Sequence, residues 1–179
     1  MNVKEIQDSI QEIGSLHAKI EETAKTLRTV EDKLTVRLAQ TGIGARNGDI
    51  DDYISLYRKK VKFPDDRINE LIEERSELNK VYEAAYSRRQ DLLNQVSKWA
   101  GASMKRRIEE IEKATSQLVS KASKLIATFC TTEGEAKEFA EKLPVVCTLI
   151  RRRRALMSLG TSDPVFQART VIHDIAQPI

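Results

Sequence analysis

The residue types best able to bind a charged partner in this sequence form a run of four arginines, Arg151 to Arg154, inside a predicted helix. Each residue turns about 100° around a helix, so four successive side chains cannot share one face. We expect Arg153 to border the apolar stripe of its helix. The other three, Arg151, Arg152 and Arg154, are expected to project outward, where they could bind phosphate, anionic lipid or an acidic protein surface. A solvated or internally paired face is the alternative.

A second basic cluster follows two tyrosines and consists of Arg58, Lys59, Lys60 and Lys62. Beside aromatic rings these cations could extend a phosphate-binding strip. Compensation of a helix dipole at the C-terminal end of a short helix explains the same cluster.

Catalytic and metal-binding patterns are not found in the sequence. The two histidines, His17 and His173, are far apart, and the two cysteines, Cys130 and Cys147, have no CxxC spacing. The glycine-rich segment TGIGARNGD follows a predicted helix, which is not the context of a phosphate-binding loop. We therefore predict no active site, no metal and no cofactor, and a chain that is not an enzyme.

Two long stretches carry apolar residues at alternating spacings of three and four. The first seam is Ile6, Ile10, Ile13, His17, Ile20, Ala24, Leu27, Glu31, Leu34 and Leu38. The second is Ile68, Leu71, Arg75, Leu78, Tyr82, Ala85, Arg89, Leu92, Val96 and Trp99. Such spacing predicts helices that pair as a coiled coil.

Charged residues within these seams predict how the two helices pair. An antiparallel register that places Glu31 opposite Arg75 also places His17 opposite Arg89. Polar pairs in such seams fix register, because a shifted pairing buries a charge alone. A polar ligand or proton site in the bundle core is the alternative.

Glycine, proline and capping residues predict where the helices end. The first helix covers about 3 to 41, a short helix covers 49 to 61, and the second long helix runs from Pro64 through Trp99. Gly101 and Ser103 predict a tight connection to a third long helix that repeats the seam from Ile108 to Phe129. Later helices are predicted over about 133 to 143, then from Pro144 to Leu159, and after Asp163.

The predicted fold is all-α, an elongated antiparallel coiled coil or three-helix bundle of long helices with a cap of short C-terminal helices. Residues 1–131 form the bundle, with the helix at 49–61 inserted between the first two long helices, and residues 132–179 form the cap. The last helix carries a hydrophobic docking surface of Phe166, Val171, Ile172 and Ile175.

Composition limits the class of protein. Charged residues make up 32% and aromatic residues 5% of 179 residues, which suits long two-faced helices better than a thick core. The formal net charge of +3 arises after residue 143, where five arginines accompany two aspartates. Two cysteines, no apolar leader and no long apolar segment favour a soluble protein that is cytoplasmic or made by a virus inside a cell.

We expect a helical assembly or adaptor protein, a subunit or chaperone of a larger complex, that binds protein partners or itself through helix faces and the arginine run. A nucleic-acid-binding protein that uses both basic clusters is the alternative. A peripheral membrane-binding bundle is a weaker one, because acidic residues offset the basic ones along the long helices. No small-molecule substrate is inferred.

Overall fold

The structure is a computed structural model that describes residues 1–41, 55, 63, 65–127 and 133–178. Within these residues the chain is all-helical, with four α-helices that pack against each other. The helices are α1 (Val3–Gln40), α2 (Asp66–Ala127), α3 (Glu133–Met157) and α4 (Pro164–Ile175), with a 3₁₀ helix at Ser158–Thr161 between the last two.

The contacts divide the chain into two compact units. One unit holds Met1–Ile10 and Leu93–Ile179, and the other holds Gln11–Leu92. The predicted boundary after residue 131 lies outside the described residues and stays a prediction. The predicted short helix at 49–61 also lies outside them, apart from Ser55.

Helix α1 begins with a reciprocal cap. The Glu5 backbone N–H donates to Asn2 Oδ1 at 2.9 Å, and the Asn2 backbone N–H donates to Glu5 Oε2 at 2.8 Å. These bonds satisfy amides that have no partner within the helix, and the Glu5 carboxylate lies at the positive end of the helix dipole. The predicted start of the first helix is therefore confirmed.

Within the Gln11–Leu92 unit, α1 and α2 run antiparallel. Ion pairs join α1 to α2 and to the residue just before it: Glu12 with Arg88 (2.8 Å), Glu31 with Arg75 (2.7 Å) and Arg37 with Asp65 (2.7 Å). The residue number of the partner falls from 88 to 65 as the number on α1 rises from 12 to 37, which is the antiparallel order. A buried cluster fills the space between the helices: Val30, Leu34, Leu38, Ile68, Leu71 and Ile72.

Nine of the ten predicted seam members of α1 are buried or partly buried, and His17, with a side chain 57% exposed, is the exception. Residues one position before seam members also join the buried face: Val30 is 1% exposed, and Leu16 and Thr23 are at least partly buried. Leu16 lies beside His17 and takes the inward position, so the imidazole stays near water and avoids the cost of desolvation. The predicted seam of α1 is therefore confirmed except at His17.

Helix α2 follows its predicted seam. All ten members from Ile68 to Trp99 are buried or partly buried. However, the predicted break at Gly101 is wrong, because α2 continues unbroken to Ala127. Glycine costs a helix interior only about 1 kcal/mol relative to alanine, less than the burial of Val96 and Ile111 on either side contributes.

The predicted stop at Pro144 is wrong as well, since α3 contains this proline. Proline removes one backbone hydrogen bond and costs about 3 kcal/mol relative to alanine. Burial of Leu149 and Leu156 in the following turns, at about 1.5–3 kcal/mol each, offsets that cost.

The core of the unit that contains Leu93–Ile179 joins α2, α3 and α4. Its buried members are Ile111, Leu149, Leu156, Leu159 and Val171. Helix α4 begins as predicted, because Asp163 Oδ1 accepts from the backbone N–H groups of Val165 (2.9 Å) and Phe166 (3.1 Å) and Pro164 occupies the first turn.

Candidate protein-interaction surface

The structure divides the four arginines of α3 between two environments. Arg152 turns inward and its Nε donates to Asp174 Oδ1 at 2.9 Å. Arg153 Nε donates to Glu112 Oε1 at 2.7 Å. Arg151 and Arg154 are exposed. The expectation that Arg152 projects outward is wrong, because an aspartate from α4 pairs with it.

Asp174 is the centre of a buried charged cluster. Arg107 of α2 donates from Nε to Asp174 Oδ2 at 2.8 Å, while Arg152 of α3 binds the other carboxylate oxygen. Both guanidinium groups also donate to backbone carbonyls after the last turn of α4: Arg107 to Gln177 O at 2.7 Å and Arg152 to Pro178 O at 2.6 Å. The arginines thus cap the C-terminal end of α4 and join three helices.

Opposing effects set the protonation of Asp174. Burial by itself would raise its pKa, but the hydrogen bonds from Arg152 and Arg107 outweigh that effect and hold the pKa below its ordinary value. The carboxylate is therefore charged at neutral pH and balances part of the arginine charge. This cluster is structural and removes Arg152 from the surface, while Arg153 pairs with Glu112.

Sequence reasoning missed this cluster, although a signal was present. A negative side chain in the last turn of a helix lies at the unfavourable end of the dipole. Asp174 in the last turn of α4 therefore indicates a cation from elsewhere in the chain. The sequence does not show which arginines supply it.

A second 3-4 stripe on α3 faces solvent. Its members, spaced by four, three, four and three, are Leu143, Cys147, Ile150, Arg154 and Met157, and all five are exposed. The exposed fractions are 47% for Leu143, 36% for Ile150 and 54% for Met157. Helix α3 therefore has one apolar stripe in the core and another that no described residue covers.

A cleft of about 410 Å³ adjoins this stripe and is lined by Glu112, Thr115, Ser116, Ile150 and Arg153. The Thr115 hydroxyl is buried and has no hydrogen-bond partner among the described residues. Ser116 also lines a neighbouring cleft with the other residues of one α2 face: Lys113, Gln117, Ser120, Lys121 and Lys124. Polar, cationic and apolar surfaces therefore meet between α2 and α3.

The predicted docking surface on α4 is not one surface. Val171 is fully buried in the core and Ile172 is partly buried. Phe166 and Ile175 are exposed, but nine positions along a helix place them about 180° apart. Burial of Val171 against α2 and α3 fixes α4, so this prediction is corrected.

The register residues lie in three environments. Arg75 Nε donates to Glu31 Oε1 at 2.7 Å, the pair that the antiparallel register predicts. His17 Nε2 lies 3.4 Å from Glu21 Oε1 on its own helix. Arg89 Nε is buried without a hydrogen-bond partner among the described residues. Glu31 and Arg75 therefore flank the apolar contact, and His17 lies outside it.

The predicted cluster of Arg58, Lys59, Lys60 and Lys62 lies outside the described residues, as does Cys130. Among the residues that are described, no group of three or more His, Cys, Asp or Glu side chains is placed to hold a metal ion. None of the helices in that part of the chain combines the length and apolar character needed to cross a membrane.

No protein-family model, curated protein or solved structure matched this chain when it was compared with each of these sets. The geometry of the surface between α2 and α3 is therefore the basis for a functional assignment.

Proposed function

We propose that this chain is a non-enzymatic helical assembly or adaptor protein, a subunit or chaperone of a larger complex. Antiparallel coiled-coil pairing of α1 with the first part of α2 provides a stiff support in one unit, and α3 and α4 provide the binding surface in the other. The exposed stripe of α3, defined above by Leu143, Cys147, Ile150, Arg154 and Met157, binds a partner protein. An intracellular, reducing compartment suits the free and exposed thiol of Cys147.

The single observation that carries this proposal is the exposure of the three large apolar side chains Leu143, Ile150 and Met157 at helical spacing on one face. Apolar residues at positions i, i+7 and i+14 form the pattern by which helices pack on other helices. Contiguous exposed apolar surface lowers the solubility of a protein, and in natural proteins it marks interaction sites.

Purification of the tagged chain from its native cells tests the proposal. The wild-type chain should carry a stoichiometric protein partner, and Ile150→Glu should lose it because a carboxylate cannot be buried in an apolar contact. Val81→Glu is the matched control, since Val81 is similarly exposed at 40% but lies on α2 in the other unit. A chain that carries no protein partner, or a partner that Ile150→Glu retains, would contradict the proposal.

Nucleic-acid binding is the second candidate, supported by the exposed cations Arg151 and Arg154 and by the lysines of the α2 face. Filter binding in a salt series tests it with the double variant Arg151→Glu/Arg154→Glu, which leaves the structural Arg152 intact. Affinity that falls steeply with salt and is lost in the variant supports this candidate, and no binding at low salt excludes it.

A further inference from the structure

The surface between α2 and α3 has an apolar floor. Helix α3 contributes Leu143, Ile150 and Met157 from its exposed stripe. Helix α2 contributes Val119, which is 47% exposed and lies one turn beyond Thr115, a residue of the cleft that also contains Ile150. This floor is the kind of surface against which a third helix packs.

Both walls of this groove are cationic. No acidic residue occurs in the sequence between Lys113 and Lys124 of α2, or between Pro144 and Met157 of α3. Glu112, the acidic residue in the cleft, pairs with Arg153 at 2.7 Å and so neutralises one of the arginines. Lys113, which lies next to Glu112 and one turn from Ser116 of the cleft, borders the α2 side of the floor, and Arg151 and Arg154 border the α3 side.

We propose that this groove, residues 112–124 of α2 with 143–157 of α3, binds an acidic amphipathic helix of a partner protein. Such a helix places apolar residues at 3-4 spacing on the floor and aspartate or glutamate side chains against the two cationic walls. This inference rests on the proposed function and adds the chemical class of the partner.

Other occupants fit the groove less well. A second copy that used the same face would bring two more cationic walls against these, because a two-fold interface pairs each patch with itself. Nucleic acid would match the cations and leave Leu143, Ile150 and Met157 in water. Only an occupant that is both apolar and acidic satisfies the floor and the walls together.

Two synthetic peptides of three heptads provide the test. They share leucine and isoleucine at the seam positions and differ only at the flanking positions, which are glutamate in one and lysine in the other. Fluorescence anisotropy with the full chain should give at least about ten-fold tighter binding of the acidic peptide, and this preference should shrink as salt is added.

Variants separate the floor from the walls. Ile150→Glu should abolish binding of the acidic peptide, Arg151→Glu/Arg154→Glu should remove or reverse the preference, and Val81→Glu should change neither. Circular dichroism confirms that each variant is helical. Equal binding of both peptides, no binding of the acidic one, or a wild-type preference that survives the double arginine variant would overturn the inference.

Two further outcomes also overturn it. One is a chain that dimerises through this face, seen as a solution mass that Ile150→Glu halves. The other is duplex DNA that displaces the acidic peptide at low salt while Ile150→Glu still binds the DNA.

If the native complex depends on Ile150 but the acidic peptide binds no better than the basic one, the partner class is wrong and the proposed function stands. If no complex forms in native cells, the proposed function itself fails.

Discussion

Arg107 and Asp174 lie 67 positions apart in the sequence, and a hydrogen bond of 2.8 Å joins Nε of one to Oδ2 of the other, with each side chain only 10% exposed. Arg152 completes the contact on the second carboxylate oxygen. The four arginines are consecutive in the sequence, but the charge of Arg152 therefore lies inside the protein and is paired with Asp174. This cluster fixes α4 against α2 and α3, beside the groove that we propose as a docking surface.

Removing the charge at position 174 should destabilise the chain. In Asp174→Asn two buried guanidinium groups lose their counter-ion, which should cost about 3 kcal/mol of unfolding free energy. Urea denaturation followed by circular dichroism measures the loss. Glu83→Gln, an exposed change on α2, should alter stability by less than about 0.5 kcal/mol. Equal stability of the two variants would mean that the cluster does not hold α4.

The same cluster predicts an acid sensitivity. Because the pKa of Asp174 is lowered in the folded chain, the unfolded state binds more protons as pH falls below the ordinary aspartate value. The stabilisation is fully present above that ordinary value and is lost as pH falls through the lowered pKa. Between pH 6 and pH 3 the wild type should therefore lose more stability than Asp174→Asn. Parallel stability curves would contradict this assignment.

The exposure of His17 within the predicted seam of α1, and the burial of Val30 next to that seam, predict different costs for changes at these two positions. Val30→Ala removes two buried methyl groups, at about 0.8 kcal/mol each plus a cavity term, so a loss of about 2 kcal/mol is expected. His17→Ala should change stability by less than about 0.5 kcal/mol, because this side chain is exposed. Denaturant unfolding of both variants measures the two costs, and the reverse order would mean that His17 lies in the core and Val30 lies outside it.

The continuity of α2 through Gly101 predicts that a substitution at this position stabilises the chain. A Cβ added at Gly101 meets no atom within 4 Å, and alanine is the better helix former. Gly101→Ala should therefore stabilise the chain by about 0.5–1 kcal/mol. If the helix instead turned at a glycine in a left-handed conformation, the same change would be destabilising, and a lowered unfolding midpoint would reveal it.

The features that the sequence predicted correctly are those that depend on residues close together in the chain. The buried seam from Ile68 to Trp99 and the cap formed by Asp163 follow from spacing and local hydrogen bonds, and both agree with the structure. Gly101 and Pro144 were misjudged because burial of side chains outweighs a helix penalty of a few kcal/mol, and burial depends on the tertiary fold.

The candidate surface was only partly predictable for the same reason. The arginine run drew attention to α3, but the inward turn of Arg152 depends on Asp174, a residue 22 positions away. The outward stripe of Leu143, Ile150 and Met157 has the same spacing as a core stripe. Only the packing of Leu149 and Leu156 against α2 and α4 shows which of the two faces solvent.

The accessibility of Cys147 tests the central claim most directly, because this thiol lies within the exposed stripe of α3. In a Cys130→Ser chain Cys147 is the single thiol, and its rate of labelling by a thiol reagent reports on the covering of that face. We predict rapid labelling of the isolated chain and labelling slowed by about ten-fold or more in the native complex, as expected for a thiol shielded from the reagent. Equal rates in the isolated chain and in the complex would show that partners bind elsewhere and would contradict the account.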